Sequence, residues 1–542
     1  MQSSKEPQTS SSIRSFYHNP MQHIDPNSFS TSQVLNNDSS RSRSQLTELS
    51  SQAYTEQFFT LESTPVTDYA IYNSPPSVSI SSNMSRFSPQ CSHSYTSDLQ
   101  HSSDNTYGSS LSGSSGVDDE KRLMHALWVL NELLEPESCI DHSGTPFARY
   151  NRILELAPHM DLKQLLLACA ETVSGADTIS LSERKVAVSA AAALMDILEK
   201  RVSVIGEPLQ RLGAYMLEAL RARLLSSGSI IYKKLKCKEP TSSELMSYMH
   251  VLYQICPYYK FAYTSANVII GEAMKNENRI HIIDFQIAQG SQWVPFIQAL
   301  SCRPGGAPYI RITGIDDFES THARGGGLEL VGQRLAQVAE TCGVPFEFHG
   351  AAMSGSEVQL ENLRVQHGEA LAVNFPYILH HMPDESVTTS NHRDRLLRLV
   401  KSLSPKVLTL VEQESNTNTG TFFQRFCETL DYYTAMFESI DVGPPRDDKS
   451  RINAEEHCVA KDVVNIIACE GNDRVERHEV FGKWRLRLTM AGFSQVPLSS
   501  AVGDAVRDML KEHSSEYRIG EGNGALYLGW KSRALATSSA WM

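Results

Sequence analysis

The chain has no apolar run of about 18 residues, so none is long enough to span a bilayer as a helix. Its best candidate, residues 186–198, is interrupted by Ser189 and Asp196. No apolar segment follows a basic start at the N-terminus, so no secretory signal is expected. Paired cysteines are also missing. The ten cysteines are scattered, none forms a C-x-x-C pair, and none sits at zinc-finger spacing from a histidine pair. That pattern fits reduced, buried thiols, and no metal site or disulfide is expected. Positive charge is scarce too. Lys plus Arg is 49 against 62 Asp plus Glu, a formal charge of −13. A protein that grips many phosphates unaided is basic, so unassisted DNA binding is not expected. Walker loops, Gly-x-Ser-x-Gly elbows and His-Glu-x-x-His runs do not occur.

What is present falls into two parts. The first 116 residues hold 33 serines, five basic and nine acidic residues, with Pro, Asn and Gln scattered among them. Such a segment cannot bury enough apolar area to offset chain entropy, and residues 1–116 read as disordered. Small aromatic clusters, Phe58-Phe59 and Tyr69 to Tyr72, are either short binding motifs or incidental. The remainder carries 44 basic and 53 acidic residues, so both parts are acidic.

From residue 118 the sequence turns helical. Asp118 to Leu134 is amphipathic, and further helices are expected over 162–177, 182–201, 207–225, 242–255 and 259–275. No strand candidate occurs in 118–278, which reads as a helical cap. Then the period changes. Strands are expected at 279–285, 309–315, 344–348, 370–375 and 406–412, alternating with helices at 293–300, 328–341 and 392–403. A helix at 484–490 follows. Residues 493–498 and 525–534 read as an antiparallel pair closing the sheet. The fold class is α/β: a Rossmann-like, methyltransferase-type, mostly parallel sheet over 279–542.

Such a sheet binds cofactors in the crevice beyond its first strand, where an acidic strand end meets glycines. Here Asp284 ends the strand. In the methyltransferase pattern, glycines belong near Gln286, Ala288 and Gly290, and only Gly290 remains. Gln286 places a long side chain where a ligand would approach. Asp316 sits where a ribose-binding carboxylate belongs. Asn374-Phe375-Pro376-Tyr377 is similar to the Asn-Pro-Pro-Tyr site of amino-methyltransferases, with Phe for the first Pro. The alternative is that Asp284 and Asp316 cap turns. A degenerate crevice is the better reading, and no cofactor is expected. The pair His380-His381 sits in a short connector and reads as structural or as a partner contact, because adjacent residues seldom chelate one ion.

Taken in order, these blocks resemble the plant GRAS regulators. His281, Ile282, Ile283 and Asp284, within RIHIIDFQIAQGSQW, are similar to the family's VHIID block, with Ile280 for the Val. Helices over about 161–240 and 328–364 resemble its two leucine-rich regions. Asn374 to Asp384, Phe437 to Ser439, Arg451 to Glu455 and Ile467 to Gly471 resemble its PFYRE region. Trp484 and Gly492 give W-x7-G, Leu528 and Trp530 give L-x-W, and Ser539, Ala540 and Trp541 give the terminal SAW. The phrases LKCKEP, ITGIDD, HHMPDESVTT and VEQESNTNT are most similar to the phytochrome A signal transduction branch.

The resemblance implies a nuclear transcriptional co-regulator, with the cytoplasm as a second compartment. It implies no enzymatic activity. Zinc-finger and other DNA-binding transcription factors are the implied partners, with homo- or heterodimers among GRAS proteins. No DELLA segment occurs in residues 1–116. Two LxxLL strings, Leu130/Leu133/Leu134 and Leu162/Leu165/Leu166, are candidate docking faces. The first is the better one, because the apolar surface around the second continues through Leu167 to Cys169. The densest basic run, Lys233 to Lys238, reads equally as a localisation signal or a solvated loop. The rival functions are a drifted S-adenosylmethionine-dependent methyltransferase and a small-molecule sensor built on the same crevice.

Overall fold

Ile280, Ile282 and Ile283 are buried on both sides of one strand, the pattern of an interior parallel strand rather than an alternating one. The structure, a computed structural model, describes residues 146–176, 181–224, 242–316 and 327–542. The expected disordered head, the helix over 118–134 with Leu130, Leu133 and Leu134, and the basic run 233–238 lie outside the described residues.

Five strands, β1 (Arg279–Asp284), β2 (Tyr309–Asp316), β3 (Phe346–Ala352), β4 (Ala370–Pro376) and β5 (Val407–Gln413), form the parallel part of the sheet. Four more follow: β6 (Gln495–Val496), β7 (Tyr517–Gly522), β8 (Ala525–Trp530) and β9 (Arg533–Trp541). The order is β3-β2-β1-β4-β5-β9-β8-β7, with β6 also on β9. β9 runs antiparallel to β5, β6 and β8. This corrects the expected closing pair. The run 525–534 is broken by a turn at Lys531, which has a positive φ of 53°. That turn makes a hairpin of β8 and β9, and the segment near 493–498 contributes only a two-residue strand.

Before the sheet come α1 (Pro146–Leu156), α2 (Leu162–Ala176), α3 (Leu181–Glu199), α4 (Pro208–Leu224), α5 (Ser242–Ile255) and α6 (Tyr258–Ala273). Between parallel strands run α7 (Trp293–Ser301), α8 (Gly327–Thr341) and α9 (His392–Ser402). After β5 come α10 (Phe422–Asp441), α11 (Lys449–Ala454), a π turn over Glu455–Val459 and α12 (Ala460–Ala468), then α13 (Phe481–Met490) and α14 (Ser500–Leu510). No helix among the described residues is long and apolar enough to cross a membrane.

The helical layer draws on both ends of the chain. α4 packs on α10 and α12, and the Arg223 guanidinium lies 3.8 Å from the Phe422 ring centroid. The lock between them is charged. Arg211 on α4 donates to both oxygens of Glu455, at 3.2 Å from Nε and 3.0 Å from Nη2, and to Asp441 at 2.6 Å. Arg451 donates to the other side of Glu455. Arg211, Arg451 and Glu455 are all fully buried. In α2, Leu165 and Leu166 are fully buried in the helical core and Leu162 packs against it, so this LxxLL face is turned inward and offers no docking surface.

The C-terminal motifs are structural pieces of the sheet. Trp530 packs with Leu526, Leu528 and Leu535 in the core on one face. Trp484 and Trp541 lie in the core on the other. The Trp541 indole donates to Ser539 Oγ at 3.0 Å and that of Trp530 to Glu438 at 3.1 Å. Gly492 (φ 95°) ends α13 in a Schellman motif, in which Phe493 N donates to Leu488 O at 2.9 Å and Gly492 N to Thr489 O at 3.0 Å. The W-x7-G spacing is therefore a buried anchor plus the residue that stops its helix.

Candidate functional site

β1 delivers Asp284 to the crevice where a cofactor would lie, but its carboxylate is already committed. Oδ1 accepts from the Gln286 backbone N–H at 3.0 Å, and Oδ2 accepts from the Trp293 indole at 2.7 Å. Burial pushes the acid up to about 7, against those hydrogen bonds. The loop keeps glycine-like backbone: Ala288 has φ 46° and Gly290 φ 73°. The space a ligand would need holds side chains instead. Ile287 lies against Gly314, where an added Cβ would meet its Cγ1 at 2.8 Å, and Leu335 lies against Gly290, with Cδ1 2.9 Å from an added Cβ.

Gln286 closes onto the neighbouring strand end. In the orientation its hydrogen bonds require, its amide nitrogen donates to Pro376 O at 2.7 Å and Tyr377 O at 3.1 Å, at the end of β4. Asp316 is buried at the end of β2. Asn374 is fully buried; its amide donates to Gln292 at 3.0 Å and its carbonyl accepts from Thr409 at 2.8 Å. Asp284, Gln286, Gly290, Asp316 and Asn374 thus gather around one strand-end region, tied to the protein itself.

A second site lies beyond the ends of β4 and β5. A cavity of about 70 Å³ there is walled by Tyr259, Tyr377, Tyr432, His380, His381 and Asp462, among others. The 3-10 turn Leu379–His381 holds the histidine rings 4.0 Å apart, so here adjacent histidines do converge. His380 Nδ1 lies 2.6 Å from Glu412 Oε2, and Glu412 Oε1 accepts from Leu379 N at 2.8 Å. Glu476 faces three rings: His380 Nε2 at 3.6 Å, His381 Nδ1 at 3.4 Å and His478 Nε2 at 3.5 Å. Burial drives His380 well below the usual histidine range and His478 down to about 3. His381 goes the other way, because Glu476 outweighs its burial. Burial raises Glu412 to about 7 and Asp462 well above the carboxylate range.

Sequence reading found His380 and His381 but missed Glu412, Glu476, His478 and Asp462. The one local signal was the run Arg474 to Glu479. It is dense in charge, has no helical period, and is mostly buried.

The sheet with its helical layer and ordered motif blocks defines an α/β class, and comparison with known proteins gives it a family. The chain matches the GRAS domain family over residues 162–542. It is 57% identical over 494 residues to Scarecrow-like protein 13 of Arabidopsis thaliana, covering 90% of this chain and 92% of that protein. It is 61% identical over 389 residues to Scarecrow-like transcription factor PAT1 of the same plant, covering 72% and 77%. The crystal structure of SCL7 from Oryza sativa superposes with a TM-score of 0.61 at 33% identity, over 71% of this chain and all (100%) of that one. The chain belongs to the GRAS family of plant regulators.

Proposed function

We propose that this protein is a nuclear transcriptional co-regulator without enzymatic activity, held on DNA by transcription factors of the zinc-finger type and able to pair with other GRAS proteins. The phrases ITGIDD, HHMPDESVTT and VEQESNTNT support a place in the phytochrome A signalling branch, and identity to a scarecrow-like transcription factor supports the transcriptional role. The observation that carries the reading is the first crevice. Asp284 is committed to Gln286 and Trp293, and Ile287 and Leu335 occupy the ligand's approach. The second cavity, about 70 Å³, takes a few waters at roughly 10–15 Å³ each. That is too little for a drug-sized ligand, which needs about 300 Å³ or more.

The net charge of −13 fits recruitment by a basic partner better than a phosphate-binding surface of its own. Gel shift at physiological salt tests this. The protein alone should bind duplex weakly and without sequence preference, and a zinc-finger partner should bring it into a specific complex. A specific complex of the protein alone at about 10⁻⁸ M or tighter would overturn the reading. So would calorimetric binding of S-adenosylmethionine at micromolar Kd, about −8 kcal/mol, accompanied by methyl transfer.

A further inference from the structure

We infer that His380, His381 and Glu476, with His478 against the same carboxylate, form a binding site for a divalent transition-metal ion of the zinc class. This goes beyond the co-regulator reading and does not depend on it. His380 Nε2, His478 Nε2 and Glu476 Oε2 have no hydrogen-bond partner among the described residues. All three side chains are almost fully buried, between 1% and 3% exposed. Orphaned buried donors and acceptors of this kind are costly, and three that converge point to a missing common partner.

The spacing identifies the partner. The Nε2–Oε2 separations of 3.6 and 3.5 Å are too long for hydrogen bonds. They suit two ligands on one ion, since bonds of about 2.0–2.1 Å in a tetrahedron give an edge of roughly 3.3 Å. His380, His381 and Glu476 each offer a donor atom, and these lie within 4.8 Å of one another. Two imidazoles and a carboxylate favour zinc over calcium or magnesium, which take oxygen ligands.

The outer contacts are those of a metal-bound histidine. Nδ1 of His380 is held by Glu412 at 2.6 Å and Nδ1 of His478 by Thr417 Oγ1 at 3.0 Å, which turns both Nε2 atoms inward. A cation would also offset the buried carboxyl groups of Glu412, Glu476 and Asp462, which crowd around the histidines. The cavity lined by His380 and His381 provides an entry path.

The test uses the full chain made without a histidine tag, stripped by chelator and titrated with Zn(II) against a chromophoric competitor, with Co(II) as a spectroscopic probe. One zinc per chain is expected. Co(II) should give the intense visible bands of a four-coordinate ion. Glu412→Gln should weaken zinc binding by about 10–100-fold, and a His478→Gln, Glu476→Gln double variant should lose it. If those variants fail to fold, zinc stoichiometry and the cobalt spectrum of the unaltered chain decide alone. Absence of a stoichiometric ion, a cobalt spectrum like that of the hydrated ion, or unchanged affinity in the folded variants overturns the site.

Discussion

Glu455 sits between two fully buried guanidiniums, Arg211 and Arg451, and joins a helix from early in the chain to a π turn from late in it. Removing one member of a buried charge cluster strands the others. Glu455→Ala should therefore cost about 3–5 kcal/mol in urea unfolding; a loss under ~1 kcal/mol would mean water reaches the site. His281 supports a pH prediction. Its Nε2 lies 2.8 Å from Thr313 Oγ1, and burial, with Arg311 beside it, takes the ring down to about 3. Glu369 is 3.3 Å from Nδ1, but its oxygen is engaged by Arg311. Below an unfolded value of about 6.5, the unfolded chain gains a proton that the native ring refuses. Stability from this residue is thus complete above that pH and falls by about 1.4 kcal/mol per unit as acid is added, down to about pH 3. His281→Gln should flatten the stability slope between about pH 6.5 and 5 relative to the unaltered protein. Equal slopes would assign the ring's proton elsewhere. Local sequence announced His281, Asp284 and Arg451 through their motif blocks. It could not announce that Glu476 faces His380, because that contact is set by how distant loops meet.

At the scale of elements, the five parallel strands were legible because runs such as IHIID and YIRITGID are buried on both faces and flanked by helical periods. The C-terminal strands were legible only in part: β6 and β8 fell within the expected runs 493–498 and 525–534, while β7 and most of β9 did not. β7 and β8 are joined by a tight turn at Asn523-Gly524, and β9 is rich in small residues, ATSSA, whose strand character comes from pairing with β5 and β8 rather than from propensity. α10 was missed for another reason: its buried aromatics surround the helix and blur its period. Two predictions belong here. Trp541→Ala should cost about 3–5 kcal/mol, lower the melting temperature and lose two unrelated partners together; an unchanged melt with one partner lost would make it a docking residue. Gly290→Ala forces a Cβ to within 2.9 Å of Leu335 at φ 73°. It should lower stability by about 1–2 kcal/mol from backbone strain alone, measured by the same melts.

At the scale of the molecule, the larger core runs without a break from α1 through the sheet to β9, so helical layer and sheet share one interior. Calorimetry of the full chain should therefore give a single cooperative transition for these parts. Two separated transitions would show the helices to be an independent module. The sequence reading divided the ordered part at residue 278, because periodicity changes there. It could not see that α10 to α12 return to pack on α4, since such packing leaves no mark in local spacing.

The insertion of β9 between β5 and β8 also bears on how the protein is made. Ser539 bonds to Leu410, 129 residues earlier in the chain. At about 5–20 residues per second on the ribosome, the edge of β5 waits roughly 6–26 s for its neighbour. Throughout that interval the nascent chain presents an open, apolar strand edge, the kind of surface that chaperones hold and that aggregates when they are scarce.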